Sequence, residues 1–278
     1  LIVGLGLIGG SYAKALTKQG FSVRAVTKEQ ADIAYAVREG FLAGGSTEAE
    51  PALFAWADLV VLALYPHTLL AWAEENAHLL TPGTLVTDVT GVKGGIVDRM
   101  QALMPEGVEF IAAHPMAGRE KCGVQHSDDS VFRSANYIVV PTDRNTPEAI
   151  ALCVRLGELL GFHRISRLSV GEHDRMIAFL SQLTHCIAVA LMTCKESRHL
   201  VDYTGDSFRD LTRIAKINEN MWTELFLWNR GELLSQMDLF IAHFAKLRDA
   251  LAQGDEETMK SMMRLSTERR RYFDKKPD

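Results

Sequence analysis

His114 follows the apolar run Phe110–Ala113 directly and heads the segment His114-Pro115-Met116-Ala117-Gly118. If that run is a strand of an open α/β sheet, its carboxyl end is where ligands bind, and the imidazole stands at the edge of the crevice. Histidine titrates near neutrality, so it can take a proton as hydride leaves a carbinol carbon. On position alone, a loop histidine bonded to backbone fits equally well. A polar turn belongs beside it: the run Leu85–Thr87 ends in Asp88-Val89-Thr90-Gly91-Val92-Lys93.

Hydride transfer needs an acceptor, and the first residues offer a place for one. Gly4-x-Gly6-Leu7-Ile8-Gly9 closes a short apolar run and opens a helical stretch, Ser11–Gln19. In a dinucleotide site the first glycine permits the tight turn and the second lets backbone approach a pyrophosphate. The third lets helix pack on strand, with the phosphates at the positive end of the helix. A lone glycine fingerprint is weak, but the strand before and the helix after give it the required context. An NAD site usually carries Asp or Glu about 20 residues on, to hold the ribose hydroxyls. Here Thr27-Lys28 stands at that place with Arg24 just before, which favours NADP over NAD. Asp88, at the end of a central strand, joins Gly4, Gly6, Leu7, Ile8, Gly9, Arg24, Thr27 and Lys28 as the cofactor-binding set.

A third group comes from helical spacing. Asp174, Ala178, Ser181 and His185 recur at three or four residues in the stretch Val170–His199, so they share one face. Met176, Leu180, Leu183, Ile187 and Leu191 form an apolar stripe roughly opposite. A small and polar stripe on an otherwise apolar helix faces either solvent or a site.

These groups need a scaffold. Up to Leu168 short apolar runs (Leu1–Val3, Ser22–Val26, Leu59–Leu64, Leu85–Asp88, Phe110–Ala113, Tyr137–Pro141, His163–Leu168) alternate with amphipathic stretches such as Gln30–Glu39, Thr68–Leu80 and Glu148–Leu160. That alternation predicts a Rossmann-type doubly wound parallel sheet over residues 1–168. After Ser169 the strands stop. Val170–His199, Phe208–Ile217, Met221–Leu251 and Glu256–Phe273 carry helical periodicity, so residues 169–278 form an all-α domain. Met221–Leu251 is apolar well beyond one stripe, which predicts burial against a second copy of the chain, a homodimer.

With 30 Lys+Arg against 35 Asp+Glu, the net charge of −5 argues against nucleic acid and anionic membranes as partners. The four cysteines have neither CxxC pairing nor zinc spacing, so reduced thiols and no metal are expected. No uninterrupted apolar run approaches the roughly 18 residues of a membrane span, and no basic segment precedes the apolar start as a secretory leader requires. The opening residues read as the remainder of a first strand, and the expected location is cytoplasmic.

Gly4-x-Gly6-x-x-Gly9, the Asp88 to Lys93 turn, His114-Pro-Met-Ala-Gly-x-Glu120, and Thr212-Arg213-Ile214-Ala215 followed by Met221-Trp222 together resemble the prephenate/arogenate dehydrogenase family. The resemblance runs in order along essentially the whole chain, and the HPMAG and TRIA…MW segments are its specific parts. It implies a Rossmann domain with a helical dimerisation domain. It also implies NAD(P)-dependent oxidative decarboxylation of prephenate to 4-hydroxyphenylpyruvate, or of arogenate to tyrosine.

By that resemblance His114 is the base at the ring hydroxyl and Arg213 the arginine for a substrate carboxylate. A bidentate guanidinium suits the second task better than lysine would. An arginine amid Leu211, Ile214 and Ala215 would otherwise be costly to bury. Asp174 and His185 match polar substrate-domain positions, and Glu120, with Lys121, stands at the site mouth.

Two departures bear on the site. Gly91 stands where the family's turn carries serine, which leaves Thr90 or water to complete the hydrogen bonding. Ser181-Gln182-Leu183-Thr184-His185 replaces the first histidine of the family's S-H-L-P-H segment. Two other readings remain: a β-hydroxyacid-type dehydrogenase using Lys195 or Lys216, and a non-catalytic NADP-sensing protein that would have no need of His114, Arg213, Asp174 and His185 together.

Overall fold

The computed structural model describes residues 1–118, 121–196 and 198–274. Its first part winds strand and helix in turn: β1 (Ile2–Val3), α1 (Leu7–Lys18), β2 (Arg24–Val26), α2 (Gln30–Arg38), β3 (Gly44–Ser46), α3 (Pro51–Trp56), β4 (Leu59–Leu62), α4 (Pro66–Asn76), β5 (Leu85–Asp88), α5 (Val97–Leu103), β6 (Glu109–Pro115), β7 (Asn136–Val140), α6 (Pro147–Leu159) and β8 (Arg164–Arg167). The strands lie in the order β3-β2-β1-β4-β5-β6-β7-β8. Neighbours are parallel except β6 and β7, where Ala112 pairs with Val140 in the antiparallel sense.

The central strands are short and largely apolar because both faces of the sheet are covered. Val60, Val61 and Leu62 of β4 are fully buried. One core joins the sheet to α3, α4 and α5 through Phe54, Leu69 and Met100. The other joins its opposite face to α1 and α6 through Tyr12, Phe132, Tyr137 and Leu156. The winding reverses between β1 and β4, which opens a crevice at their carboxyl ends, where α1 begins. β3 is the strand that apolar pattern does not reveal, since Gly44, Gly45 and Ser46 carry none.

The remaining elements are helical: α7 (Val170–Ile177), a π turn (Ala178–Gln182), α8 (Leu183–Thr193), α9 (Asp206–Thr212), α10 (Glu219–Trp228), α11 (Arg230–Gln253) and α12 (Glu256–Arg270). Ser169 starts α7 with a capping box, its hydroxyl accepting from Glu172 N while the Glu172 side chain reaches back to Ser169. The long helix expected over Met221–Leu251 is broken at Asn229, whose backbone leaves helical geometry (φ −105°, ψ 24°).

By compactness the chain divides into Leu1–Arg230 and Gly231–Asp278, so α7 to α10 fold with the sheet in the first unit. Change of secondary-structure class at Leu168 and change of compact unit at Arg230 are thus separate features. In the second unit, α11 carries Leu234, Leu239, Ile241 and Phe244, each more than half exposed.

Among the described residues, the continuous helical stretch Val170–Thr193 is long and apolar enough, by length and composition, to cross a membrane. Glu172, Asp174 and Arg175 interrupt its apolar sequence, and His173, Asp174 and Ile177 are buried within the first unit. The same stretch leaves Met176, Phe179 and Leu180 exposed, so one side packs on the first unit and the other does not.

Candidate active site

The glycine turn has the geometry that a phosphate cradle needs. Gly4 sits at φ +92°, a left-handed conformation that glycine adopts without penalty. A β-carbon at Gly9 would fall 2.0 Å from the Gly4 carbonyl oxygen, so helix and turn approach as closely as backbone allows. At Gly6 the same addition meets open space. Gly6 is also the N-cap of α1 and lends no side-chain cap to its amides. Leu7 is buried and Ile8 half-buried beneath this turn. The protein therefore leaves room and unsatisfied donors on one side of the loop, which suits a pyrophosphate at a helix N-terminus.

Thr27 stands next to that turn, its hydroxyl accepting from Leu5 N at 3.5 Å, and Lys28 is exposed beyond it. Arg24 lies elsewhere. It opens β2 and its guanidinium stacks on Trp56, 4.5 Å from the ring centroid, toward the amino ends of the strands.

Between β5 and α5 lies a closed polar knot. Lys93 and Asp88 are fully buried, with Lys93 Nζ 2.6 Å from Asp88 Oδ2 and donating to the Ala113 carbonyl at 2.7 Å. Asp88 also accepts from Ala113 N at 3.1 Å and from Thr90 N at 3.0 Å. The Thr90 hydroxyl donates to Asp88 Oδ2 and lies 2.9 Å from the Val92 carbonyl. Burial lowers the Lys93 pKa, while the Asp88 carboxylate opposes that shift.

This corrects two sequence expectations. Asp88 as a cofactor contact and Thr90 as a substrate contact would need side chains facing the crevice. Both instead turn inward and spend their hydrogen bonds on the ion pair. Thr90 does not stand in for the missing serine.

His114, on β6, faces a second polar group from α7. Its Nδ1 lies 2.9 Å from His173 Nε2, and His173 Nδ1 lies 2.7 Å from Asp174 Oδ1. Asp174 is anchored by backbone: Oδ1 accepts from Lys93 N at 3.0 Å and Oδ2 from Gly94 N at 2.7 Å. The other side of the His114 ring looks onto Gly91, where a β-carbon would lie 3.7 Å from His114 Nε2. Burial, then the neighbouring His173 and Lys93, hold the His114 pKa well below the ordinary histidine value. The ring is therefore neutral at neutral pH and able to accept a proton.

Helical spacing alone does not single out His173. It shares its side of the helix with Ile177 rather than with the polar stripe, and so reads as core.

The stripe itself is re-phased. Asp174 and Ala178 are buried as one face, but the π turn adds a residue, and Gln182 rather than Ser181 continues that face inward. Gln182 Nε2 donates to the Leu225 carbonyl at 3.1 Å. Asn229 Nδ2 lies 2.8 Å from Gln182 Oε1 and 2.9 Å from the Asp174 carbonyl, which ties the helix break to the π turn. Met176 and Leu180 of the apolar stripe face outward, 46% and 43% exposed.

His185 comes after the π turn and stacks on Trp222 with centroids 3.7 Å apart. Its Nδ1 donates to the Ser181 carbonyl at 2.8 Å, directing Nε2 away from the helix backbone. Arg213 lies in the single turn Arg213–Ala215, against which α8 packs. It is exposed, as is Leu211, so the burial cost expected from its apolar neighbours does not arise within one chain. Glu120 lies outside the described residues, and Lys121, Lys195 and Lys216 are exposed.

With this geometry in view, comparison with known proteins is decisive. The prephenate dehydrogenase nucleotide-binding domain matches residues 12–165, and the prephenate dehydrogenase dimerization domain matches residues 169–265. The chain belongs to the prephenate dehydrogenase family. A prephenate dehydrogenase of Bacillus subtilis is 30% identical over 93% of this chain and 71% of its own length. Among solved structures, the prephenate dehydrogenase of A. aeolicus, in complex with hydroxyphenyl propionate and NAD+, has a TM-score of 0.89 at 28% identity. That match covers 98% of this chain and 97% of the other. Synechocystis arogenate dehydrogenase has a TM-score of 0.84 at 25% identity, covering 98% and 99%. Like the family's other members, this prephenate dehydrogenase relative joins a mostly parallel nucleotide-binding sheet to a helical carboxyl-terminal part.

Proposed function

We propose that this chain is a homodimeric dehydrogenase that oxidatively decarboxylates prephenate to 4-hydroxyphenylpyruvate with NADP or NAD, in tyrosine biosynthesis in the cytoplasm. The observation that carries the reading is His114: a neutral imidazole at the carboxyl edge of β6, engaged through Nδ1 and turning Nε2 toward the side-chain-free Gly91. Residues 1–168 would hold the dinucleotide and residues 169–278 the dimer contacts. The exposed apolar residues of α11 support the homodimer.

Gly4, Gly6 and Gly9 would cradle the pyrophosphate above Leu7 and Ile8. When bound, the nicotinamide dinucleotide supplies the hydride acceptor. His114 Nε2 takes the proton of the ring hydroxyl as hydride leaves the same carbon, and the resulting ketone draws the electrons released by CO2 loss, so the ring becomes aromatic. A neutral base is required, since a protonated ring has no lone pair to offer. Arg213, with His185 on the helix packed against its turn, is assigned to a substrate carboxylate. Asp174, expected from the sequence among the substrate contacts, is buried with both oxygens spent on Lys93 N, Gly94 N and His173, which corrects that expectation; its part is played from behind, through His173. Glu120 keeps its assignment at the site mouth.

The Thr27 hydroxyl and Lys28 cation at the end of β2, with no carboxylate in either position, favour the 2′-phosphate of NADP. Arg24, stacked on Trp56 at the opposite end of β2, takes no part in that preference. The second reading, arogenate as substrate, is favoured by the likeness to the Synechocystis enzyme. A two-by-two assay of prephenate and arogenate with NADP and NAD tests the whole reading. Reduction of neither cofactor with either acid would overturn it.

A further inference from the structure

The hydrogen bonds behind His114 have a direction, and that direction selects a tautomer. Asp174 receives main-chain N–H groups on both oxygens, from Lys93 and Gly94. Main-chain donors on both oxygens suit the ionised carboxylate, and an ionised carboxylate is an acceptor only. His173 Nδ1, 2.7 Å away, must then carry the hydrogen of that contact. In a neutral ring the other nitrogen is then a lone pair, so His173 Nε2 accepts. The proton in its 2.9 Å contact with His114 Nδ1 therefore belongs to His114. His114 Nε2 is left as the lone pair, on the side facing Gly91.

We propose that His173 and Asp174 are positioning residues that hold His114 in its Nδ1–H tautomer, so that Nε2 alone is basic. The inference rests on the reading of His114 as the proton acceptor and says which atom accepts and what keeps it ready. Orientation is fixed in the same way, because β6 holds one ring, α7 the other, and the backbone of Lys93 and Gly94 pins the carboxylate.

The alternatives are costly. A proton on Asp174 in its contact with His173 Nδ1 would reverse the donor there, set two main-chain N–H groups against a neutral carboxyl, and turn both rings to the opposite tautomer. A doubly protonated His173 would place a cation in a buried position, and burial lowers its pKa, with the Asp174 bond only opposing that shift. The charged groups around the pair are Asp174 on its own helix, and Lys93 and Asp88 from the β5–α5 side. Lys93 and Asp88 already neutralise one another.

When His114 takes a proton at Nε2, its Nδ1–H still donates to His173, whose Nδ1–H still donates to Asp174. No proton moves along the chain. The carboxylate stabilises the new charge from a distance and neither ring has to turn. This arrangement keeps the catalytic geometry constant between the two protonation states.

The experiment is nuclear magnetic resonance of the full-length protein labelled with 15N histidine, combined with kinetics. Above its titration, His114 should show a protonated Nδ1 and a bare Nε2, its signals assigned by their loss in His114→Asn. A bare Nδ1 in the wild-type protein overturns the proposal without any further variant. In Asp174→Asn one amide donor must face a main-chain N–H, and His114 should lose its single tautomer. His173→Leu should lower kcat by about 100-fold, within the span of a positioned base. His173→Gln should recover most of that loss, because its side-chain oxygen can accept from His114 Nδ1.

If His114→Asn is inactive while His173→Leu keeps wild-type kcat and the wild-type tautomer, the positioning role is wrong and the base stands. If His114→Asn retains full turnover, the reading of the base falls, whatever the tautomer.

Discussion

Two polar networks meet at the β5–α5 turn, and they differ in one respect. The knot of Asp88, Thr90 and Lys93 is closed: every polar atom named in it finds its partner inside the protein, and both charges are fully buried. The line from Asp174 through His173 to His114 is open, because the last ring turns a nitrogen toward Gly91, which offers it no side-chain partner. Lys93 belongs to both, giving its ammonium to the first and its backbone N–H to the second. A closed network of buried charge can only hold shape. An open one, backed by the closed one, can react.

Substitutions should separate the two roles. His114→Asn is expected to cost the most activity, about 10²–10⁴-fold in kcat, with thermal unfolding nearly unchanged. A matching loss of stability would show that His114 belongs to the framework as well. Lys93→Met should do the reverse. Removing one partner of a buried pair leaves an uncompensated charge and costs about 3–5 kcal/mol, read by denaturant unfolding. If Lys93→Met keeps wild-type stability, Asp88 is not bearing a charge that needs it, and the closed network is not the framework.

The acid limb of the kcat/KM profile sharpens the contrast. The His114 pKa is depressed in the folded chain, so the base stays competent below the ordinary histidine range and fails only as pH falls through the lowered value. The same sign governs stability. Neutral His114 is favoured by folding, so its contribution is complete above about pH 6.5 and declines as pH falls toward the folded value. A profile that turns at an unperturbed histidine pKa would break this assignment.

The smallest effect should come from Gly91→Ala. Its β-carbon would meet Leu225 at 3.6 Å and His114 Nε2 at 3.7 Å, both ordinary contacts, so stability should change by less than about 0.5 kcal/mol. KM for prephenate should rise, since the methyl occupies the approach to the base. An unchanged KM would place the substrate elsewhere.

Sequence made the open end of the site legible and the closed part opaque, for physical reasons. His114 and the glycine turn announce themselves by position, one at a strand's carboxyl end, the other between strand and helix. Asp88 and Thr90 occupy equally suggestive positions but turn inward, and spacing says nothing about which way a loop side chain points. His173 was hidden by its neighbour Ile177, since a histidine on an apolar side of a helix reads as core. The fold class followed from alternation, whereas β3 escaped because its Gly-Gly-Ser has no pattern. The break at Asn229 escaped because asparagine in a long apolar stretch looks tolerable until its side chain is seen binding Gln182 and the Asp174 carbonyl.

The π turn at Ala178–Gln182 makes this site depend on chain length as well as on composition. Asp174 and His185 sit on either side of one extra residue, so each is in phase with its own surroundings and out of phase with the other. Deleting Phe179 from that turn would leave two good helices joined without a seam. It would also turn the rest of that helix, His185 included, by about 100° around its axis and so take His185 off Trp222. A chain shortened in this way would keep every side chain named here as chemically important and still lose the register that brings them together.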